Sequence, residues 1–184
     1  MTLHRPSKVD NRNALSEIFS AVSALSKDVP IIFPCHPRTR KMIEAFKLTD
    51  LFSELPESGL LDSGIYLLPP LGYDEFLYLW KDSALVLTDS GGLQEETSAL
   101  KIPCITLREN TERPITVTEG SNELAGTDFE KILMLGKKAL SGNWKEGRIP
   151  QLWDGRASER IVKVINKLTV EKEELLYTAD SVVV

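Results

Sequence analysis

ALVLTDSGGLQEETSALKIPCITL, residues 84–107, is the stretch whose pattern decides the fold. ALVLT is apolar at nearly every position, as expected of a strand buried on both faces, and IPCITL at 102–107 repeats the pattern. Between them LQEETSALK has the make-up of a short helix. Two buried strands joined by one helix run parallel, and their crossover is right-handed. Thr88 and Asp89 are expected to end the strand, and Ser90, Gly91 and Gly92 to turn the chain into a helix starting near Leu93.

The same alternation extends in both directions. Residues 11–27, NRNALSEIFSAVSALSK, place Leu15, Ile18, Phe19, Val22 and Leu25 at helical spacing, so one face is buried. VPIIFP is a strand stopped by Pro34, and RTRKMIEAFK resumes the helical period. IYLLPP is a strand, YDEFLYLWKDS a helix, and FEKILMLGKKALSG an amphipathic helix whose end at Gly142 suits a left-handed cap. A further helix is expected from Ala157 to Leu168. Strands centred near 4, 32, 66, 86, 105 and 124 predict an α/β fold built on a doubly wound parallel sheet, Rossmann-like, with ligands outside the carboxyl ends of its strands.

With 184 residues, 42% of them hydrophobic, the chain can bury one substantial core, and one domain is expected. Its 22 basic and 27 acidic residues are interspersed, so no field of one sign exists to collect nucleic acid or a membrane surface. Cys35 and Cys104 stand far apart with no His or Cys pair at zinc spacing, so neither a metal site nor a disulfide framework is expected. MTLHRPSKVD lacks an apolar signal run, and a cytoplasmic protein is the expectation.

The turn at 89–92 has two readings. Residues without bulk let a ligand approach the backbone, the first amides of a helix lack partners, and the helix dipole draws anions. Ser90 adds a hydroxyl donor. Glu95 and Glu96, taken to lie on the first turn, are placed to accept hydrogen bonds from a ribose diol. Alternatively, SGG is a tight turn that the glutamates merely cap. Spacing alone leaves both open. A hydrolase elbow is excluded because its required glycine two places before the serine is Thr88 here.

TDSGGLQEE, followed by LRENTERPITVTEGSNELAGTD and preceded by the opening TLHRPSKVDN, resembles the carboxyl-terminal half of the non-hydrolysing UDP-N-acetylglucosamine 2-epimerases. The likeness runs from Leu3 to about Leu168 and implies one half of a glycosyltransferase-B type fold. It implies that Ser90, Gly91 and Gly92 bind the diphosphate of UDP or a UDP-sugar, that Glu96 takes the ribose hydroxyls, and that Phe76 lies near the uracil. His4 and Arg113 are the implied catalytic residues, beside the diphosphate whose charge grows as the C–O bond breaks. His36, in PCHPRTR with Arg38, is a candidate nucleotide contact, although HPRT departs from the pattern of members that bind an activating UDP-sugar. Without the family, His4 would be a strand-end histidine, Arg113 a loop arginine and Phe76 a core residue.

The resemblance further implies interconversion of UDP-GlcNAc and UDP-ManNAc by anti elimination of UDP and its re-addition, with neither cofactor nor metal. The base that removes the C2 proton belongs, in the family, to an amino-terminal domain. Residues 1–168 are therefore expected to be the UDP-binding domain and 169–184 a tail, with the amino-terminal domain missing through excision, a split gene or truncation. Such a chain alone is expected to bind UDP weakly without epimerising, and exposed Val182, Val183 and Val184 to favour homo-oligomers. The competing expectations are a glycosyltransferase domain and a non-catalytic nucleotide-binding module.

Overall fold

The computed structural model describes residues 1–59 and 61–180, with side chains through residue 169. It divides into a unit spanning Met1–Ile149 and a second from Pro150 onward. The first contains helices α1 (Pro6–Val9), α2 (Arg12–Leu25), α3 (Pro37–Ala45), α4 (Tyr73–Trp80), α5 (Gly91–Ala99), α6 (Pro114–Thr118) and α7 (Phe129–Leu140). Its strands are β1 (Ile31–Pro34), β2 (Ile65–Leu68), β3 (Val86–Thr88), β4 (Cys104–Thr106) and β5 (Asn122–Leu124). The second unit carries α8 (Ala157–Asp180).

All strand pairs are parallel. β1 pairs with β2, and β3, β4 and β5 pair in order, with Leu87 opposite Ile105 and Ile105 opposite Glu123. The amino-terminal segment lies between these two groups. Thr2 bridges Thr88, its N–H donating to Leu87 O at 2.8 Å, while the Met1 amino group donates to Ile32 O at 2.7 Å. The spatial order is thus β2, β1, amino-terminal segment, β3, β4, β5, which in chain order is 3-2-1-4-5-6. The order reverses between residues 2–4 and β3, and a doubly wound sheet binds ligands at that reversal. The expected strand near residue 4 is a single bridge at Thr2 rather than a ladder.

The core forms where α2 and α7 cover the sheet. Leu15, Ile18, Phe19, Val22 and Leu25 are all buried, together with Phe33, Ile105, Leu107 and Ile132. Each such side chain removed from water contributes about 1.5–3 kcal/mol. Phe19 meets Phe52 edge-on at 5.2 Å between ring centroids. α7 approaches α2 closely at Gly136, where a Cβ would stand 2.5 Å from Leu25 Cδ1 and would force that buried leucine to move. α7 ends as expected: Gly142 has φ +75°, its N–H bonds to Ala139 O, and Asn143 N–H bonds to Lys138 O.

Two boundaries differ from expectation, and α6 is an element that the sequence reading did not place. α5 starts at Gly91, not Leu93, so the glycines are the first two helical residues and Glu95 and Glu96 fall beyond the first turn. α6 follows Pro114, whose missing N–H and fixed φ suit a first helical position. α8 runs to Asp180 rather than Leu168, with its start pinned by Arg156, which bonds to Glu159 at 3.0 Å. Val182–Val184 lie outside the described residues. Among the described residues no helix is long and apolar enough to cross a membrane.

Candidate functional site

The carboxyl end of β3 delivers Asp89, wholly buried, against residues 4 and 5 across the sheet reversal. Asp89 Oδ2 accepts the backbone N–H groups of His4 at 2.9 Å and Arg5 at 2.7 Å. Its other oxygen lies 2.8 Å from His4 Nδ1, and Arg5 Nε donates to Asp89 O at 3.2 Å. The Asp89 hydrogen bond raises the His4 pKa above its ordinary value against the opposing effect of burial. Burial alone would push Asp89 up, yet the bonds from the His4 ring and from the Arg5 and His4 backbone hold it below the carboxylate range. Asp89 therefore fixes the Nδ1–H tautomer and leaves Nε2, on a half-exposed ring, for a ligand. The sequence reading missed Asp89 as a functional residue, although its place at a buried strand end beside the glycine turn was a usable signal.

Ser90 caps α5. Its Oγ accepts from Leu93 N–H at 3.5 Å, so its own proton stays free to donate, and its N–H is held by Thr88 Oγ1 at 2.9 Å. The N–H groups of Gly91 and Gly92 precede any i−4 carbonyl of the helix and are left for a ligand. Neither glycine has positive φ, and a Cβ on either would meet nothing within 4 Å. Glycine in a helix costs about 0.5–1 kcal/mol relative to alanine. Neither turn geometry nor packing demands that cost here, which favours the ligand reading over the tight turn.

His4, His36 and Phe76 come together, with Leu3, Pro34 and Leu71, around a cleft of about 200 Å³. The two imidazoles are 6.4 Å apart between centroids. His36 caps α3, its Nδ1 accepting from Arg38 N–H at 3.2 Å, while Arg38 Nε donates to Asp10 at 2.9 Å. Ser90, Gly91, Gly92, Glu96 and Arg113 do not line this cleft and belong to the α5 side of the sheet reversal. A second cavity of about 240 Å³ shares Phe76 but is walled by apolar residues such as Leu79, Trp80, Leu85 and Leu93.

On the α5 side, Arg113 Nε pairs with Glu95 at 2.7 Å, and both are partly exposed. Burial pushes the Glu96 carboxyl above its ordinary value, the Tyr73 hydroxyl opposes this, and Glu95 adds to it. The loop after β4 also holds Arg108, nearly buried, whose guanidinium grips Glu112 through two 2.7 Å bonds. That grip brings the Glu112 carboxyl down to about 2. Glu112 also lies 3.6 Å from Arg5, so His4, Arg5, Asp89, Arg108 and Glu112 form one charged cluster. Arg108 and Glu112 escaped the sequence reading, although their four-residue spacing was a weak signal; that Arg108 is buried shows only in the structure. Among the described residues no group of three or more His, Cys, Asp or Glu side chains is arranged to hold a metal.

The chain is similar to known proteins in sequence and in fold. The chain is 42% identical to the UDP-N-acetylglucosamine 2-epimerase of Methanocaldococcus jannaschii over 172 residues, covering 90% of this chain and 43% of that protein. The corresponding enzyme of Methanococcus maripaludis is 43% identical over 169 residues, with the same coverage. A UDP-2,3-diacetamido-2,3-dideoxy-D-glucuronate 2-epimerase of Pseudomonas aeruginosa is 34% identical over 169 residues, covering 91% of this chain and 44% of its own. The chain thus spans less than half the length of these relatives. The crystal structure of the M. jannaschii enzyme in complex with UDP-GlcNAc and UDP superposes with a TM-score of 0.73, covering 90% of this chain and 44% of that one at 42% identity. The Neisseria meningitidis enzyme bound to UDP-GlcNAc gives 0.71 at 27% identity, covering 90% and 43%. The family model described as UDP-N-acetylglucosamine 2-epimerase matches residues 1–166, which contain both the buried Asp89–His4 contact and the open start of α5, and the chain belongs to that family.

Proposed function

We propose that residues 1–168 form the UDP-binding domain of an enzyme interconverting UDP-N-acetylglucosamine and UDP-N-acetylmannosamine. The observation that carries this reading is the open start of α5: two glycines with negative φ and empty Cβ space, behind a serine cap whose proton is free. Ser90 Oγ–H and the Gly91 and Gly92 amides donate to the diphosphate, Glu96 accepts from the ribose diol, and Phe76 lies by the uracil. His4, whose charged form Asp89 favours, and Arg113, released from Glu95, offset the charge that collects on UDP as it departs. His36 is a secondary nucleotide contact across the cleft.

In the complete enzyme a carboxylate of the amino-terminal half takes the C2 proton. The C1–O bond breaks, UDP leaves with that electron pair, and 2-acetamidoglucal remains. Re-protonation at the opposite face of C2 and return of UDP to C1 give the epimer. The base lies beyond this chain, so the 184-residue chain binds UDP but does not turn over. The related enzyme that acts on a diacetamido-glucuronate shares the UDP moiety, so a common UDP site fits both names. The test is isothermal titration of the chain with UDP, beside a coupled assay for UDP-ManNAc with and without an added amino-terminal half. UDP binding without turnover, and turnover on reconstitution, is the expected result; no heat with UDP at millimolar concentration defeats the reading.

A further inference from the structure

Gln94 is wholly buried, as are Thr106, Thr116 and Asn122. Burying two primary amides is costly unless their polar atoms find partners, and here each amide nitrogen and oxygen has at least one. Gln94 Nε2 donates to Ser90 O at 3.0 Å, and its Oε1 accepts from Thr111 Oγ1 at 2.6 Å and Asn122 Nδ2 at 3.2 Å. Asn122 Nδ2 also donates to Thr116 Oγ1 at 3.0 Å, while its Oδ1 accepts from Thr106 Oγ1 at 2.7 Å. Turning either amide over would set two NH₂ groups or two oxygens face to face, so the pattern has one orientation.

The two outer threonines then close on the same residue. Arg113 N–H donates to Thr111 Oγ1 at 2.9 Å, and Thr116 Oγ1 donates to Arg113 O at 2.7 Å. Each hydroxyl spends its proton on one partner and its lone pair on the other. Arg113 is thus held by its backbone on both sides, through hydroxyls anchored to the Gln94–Asn122 amide pair, and Gln94 is bonded to the carbonyl of the α5 cap. An apolar core residue would fill the same space without the desolvation cost but would not link these two segments.

We propose that Thr111, Gln94 and Asn122 are positioning residues: they set where the Arg113 guanidinium stands relative to the Ser90–Gly92 donors. This rests on the UDP reading above. Thr111→Val is close to isosteric at a half-buried site and cuts the link without entering the core. UDP affinity falls about 10-fold in this variant, while binding of uridine, which has no diphosphate, is unchanged. Thr111→Ser restores UDP affinity, and Thr111→Val has no further effect in an Arg113→Ala background, because a positioning residue acts only through the group it positions. Hydrogen exchange at the Arg113 amide accelerates in Thr111→Val. Equal losses for UDP and uridine, additivity with Arg113→Ala, or a lowered melting temperature with UDP affinity intact would overturn the proposal. If the unmodified chain does not bind UDP, the functional reading is lost, and unchanged exchange at Arg113 in Thr111→Val still defeats the positioning claim on its own.

Discussion

Helices α3 and α5 are both nine residues long, and each begins within three residues of the end of a parallel strand, yet their first turns are used in opposite ways. α3 closes its own amino end. Pro37 brings no N–H, His36 takes the amide of Arg38, and the Arg38 guanidinium is held by Asp10. α5 has a weak 3.5 Å cap and then two glycines whose Cβ positions are empty. Both helices have the same dipole, but α3 begins with one orphan donor fewer because Pro37 has no N–H. A helix terminus alone therefore does not make an anion site; the two differ in that the chain fills the start of α3 with its own atoms and leaves the Gly91 and Gly92 amides of α5 open.

Gly92→Asp is the strongest way to break that contrast. A carboxylate over the open amides takes the place of a phosphate, and UDP affinity should fall at least about 100-fold, or about 2.7 kcal/mol. The added side chain has room, so the melting temperature should hold. Undiminished UDP binding by titration would mean that α5 is as closed to ligands as α3.

Asp89→Asn comes next. Asp89 accepts two backbone N–H bonds and the His4 contact in full burial, and loss of its charge should destabilise the fold by about 1.5–3 kcal/mol. Its pKa is held below 3.8, so the stability it supplies is complete above 3.8 and is lost as pH falls through the lowered value. His4 has the opposite sign. Its pKa is raised above 6.5, so the stability from its charged form is complete below 6.5 and is lost as pH rises through the raised value. UDP affinity, which depends on the imidazolium, should decline across that same rise. In Asp89→Asn the decline should move to lower pH; a profile unmoved by the substitution would detach His4 from the site.

Gly91→Ala separates the two readings of the SGG turn. Replacing a helical glycine should raise stability by about 0.5–1 kcal/mol, since φ and space both permit it. If the bare amides serve a ligand, UDP affinity should drop about 10-fold at the same time. Stability gained with affinity kept would restore the structural explanation of the glycines.

What could be read from the sequence follows the range of the forces involved. Strands such as ALVLT and IPCITL showed themselves because continuous apolar runs suit burial on both faces, and α2 did so because Leu15, Ile18, Phe19, Val22 and Leu25, all buried, recur at helical spacing. The start of α5 was placed two residues late because Gly91 and Gly92 have poor helix propensity, which here yields to the Ser90 cap. The residues implied by the motifs converge in two groups, His4, His36 and Phe76 at the cleft and Ser90, Gly91, Gly92, Glu96 and Arg113 beside α5. The partners of Asp89 and Gln94 lie far along the chain and do not show in local pattern. His4 meets Asp89 from 85 positions away, and Asn122 meets Gln94 from 28.

The smallest effect sharpens the comparison from the other end. α3 and α5 finish alike, each with a lysine in the left-handed conformation: Lys47 at φ 58° and Lys101 at φ 57°. In both, the next amide reaches back five residues, Leu48 to Ile43 O and Ile102 to Thr97 O, the bonding that favours glycine at the left-handed position. An L-residue pays about 1–2 kcal/mol there, part of which glycine returns through its larger unfolded-state entropy, so Lys47→Gly and Lys101→Gly should each gain about 0.5–1 kcal/mol. Chemical denaturation would show two similar increments and titration an unchanged UDP affinity, because the helices differ only where they begin. An affinity change confined to Lys101→Gly would instead mean that the far end of α5 adjusts its open amides, and the contrast with α3 would belong to the whole helix rather than to its first turn.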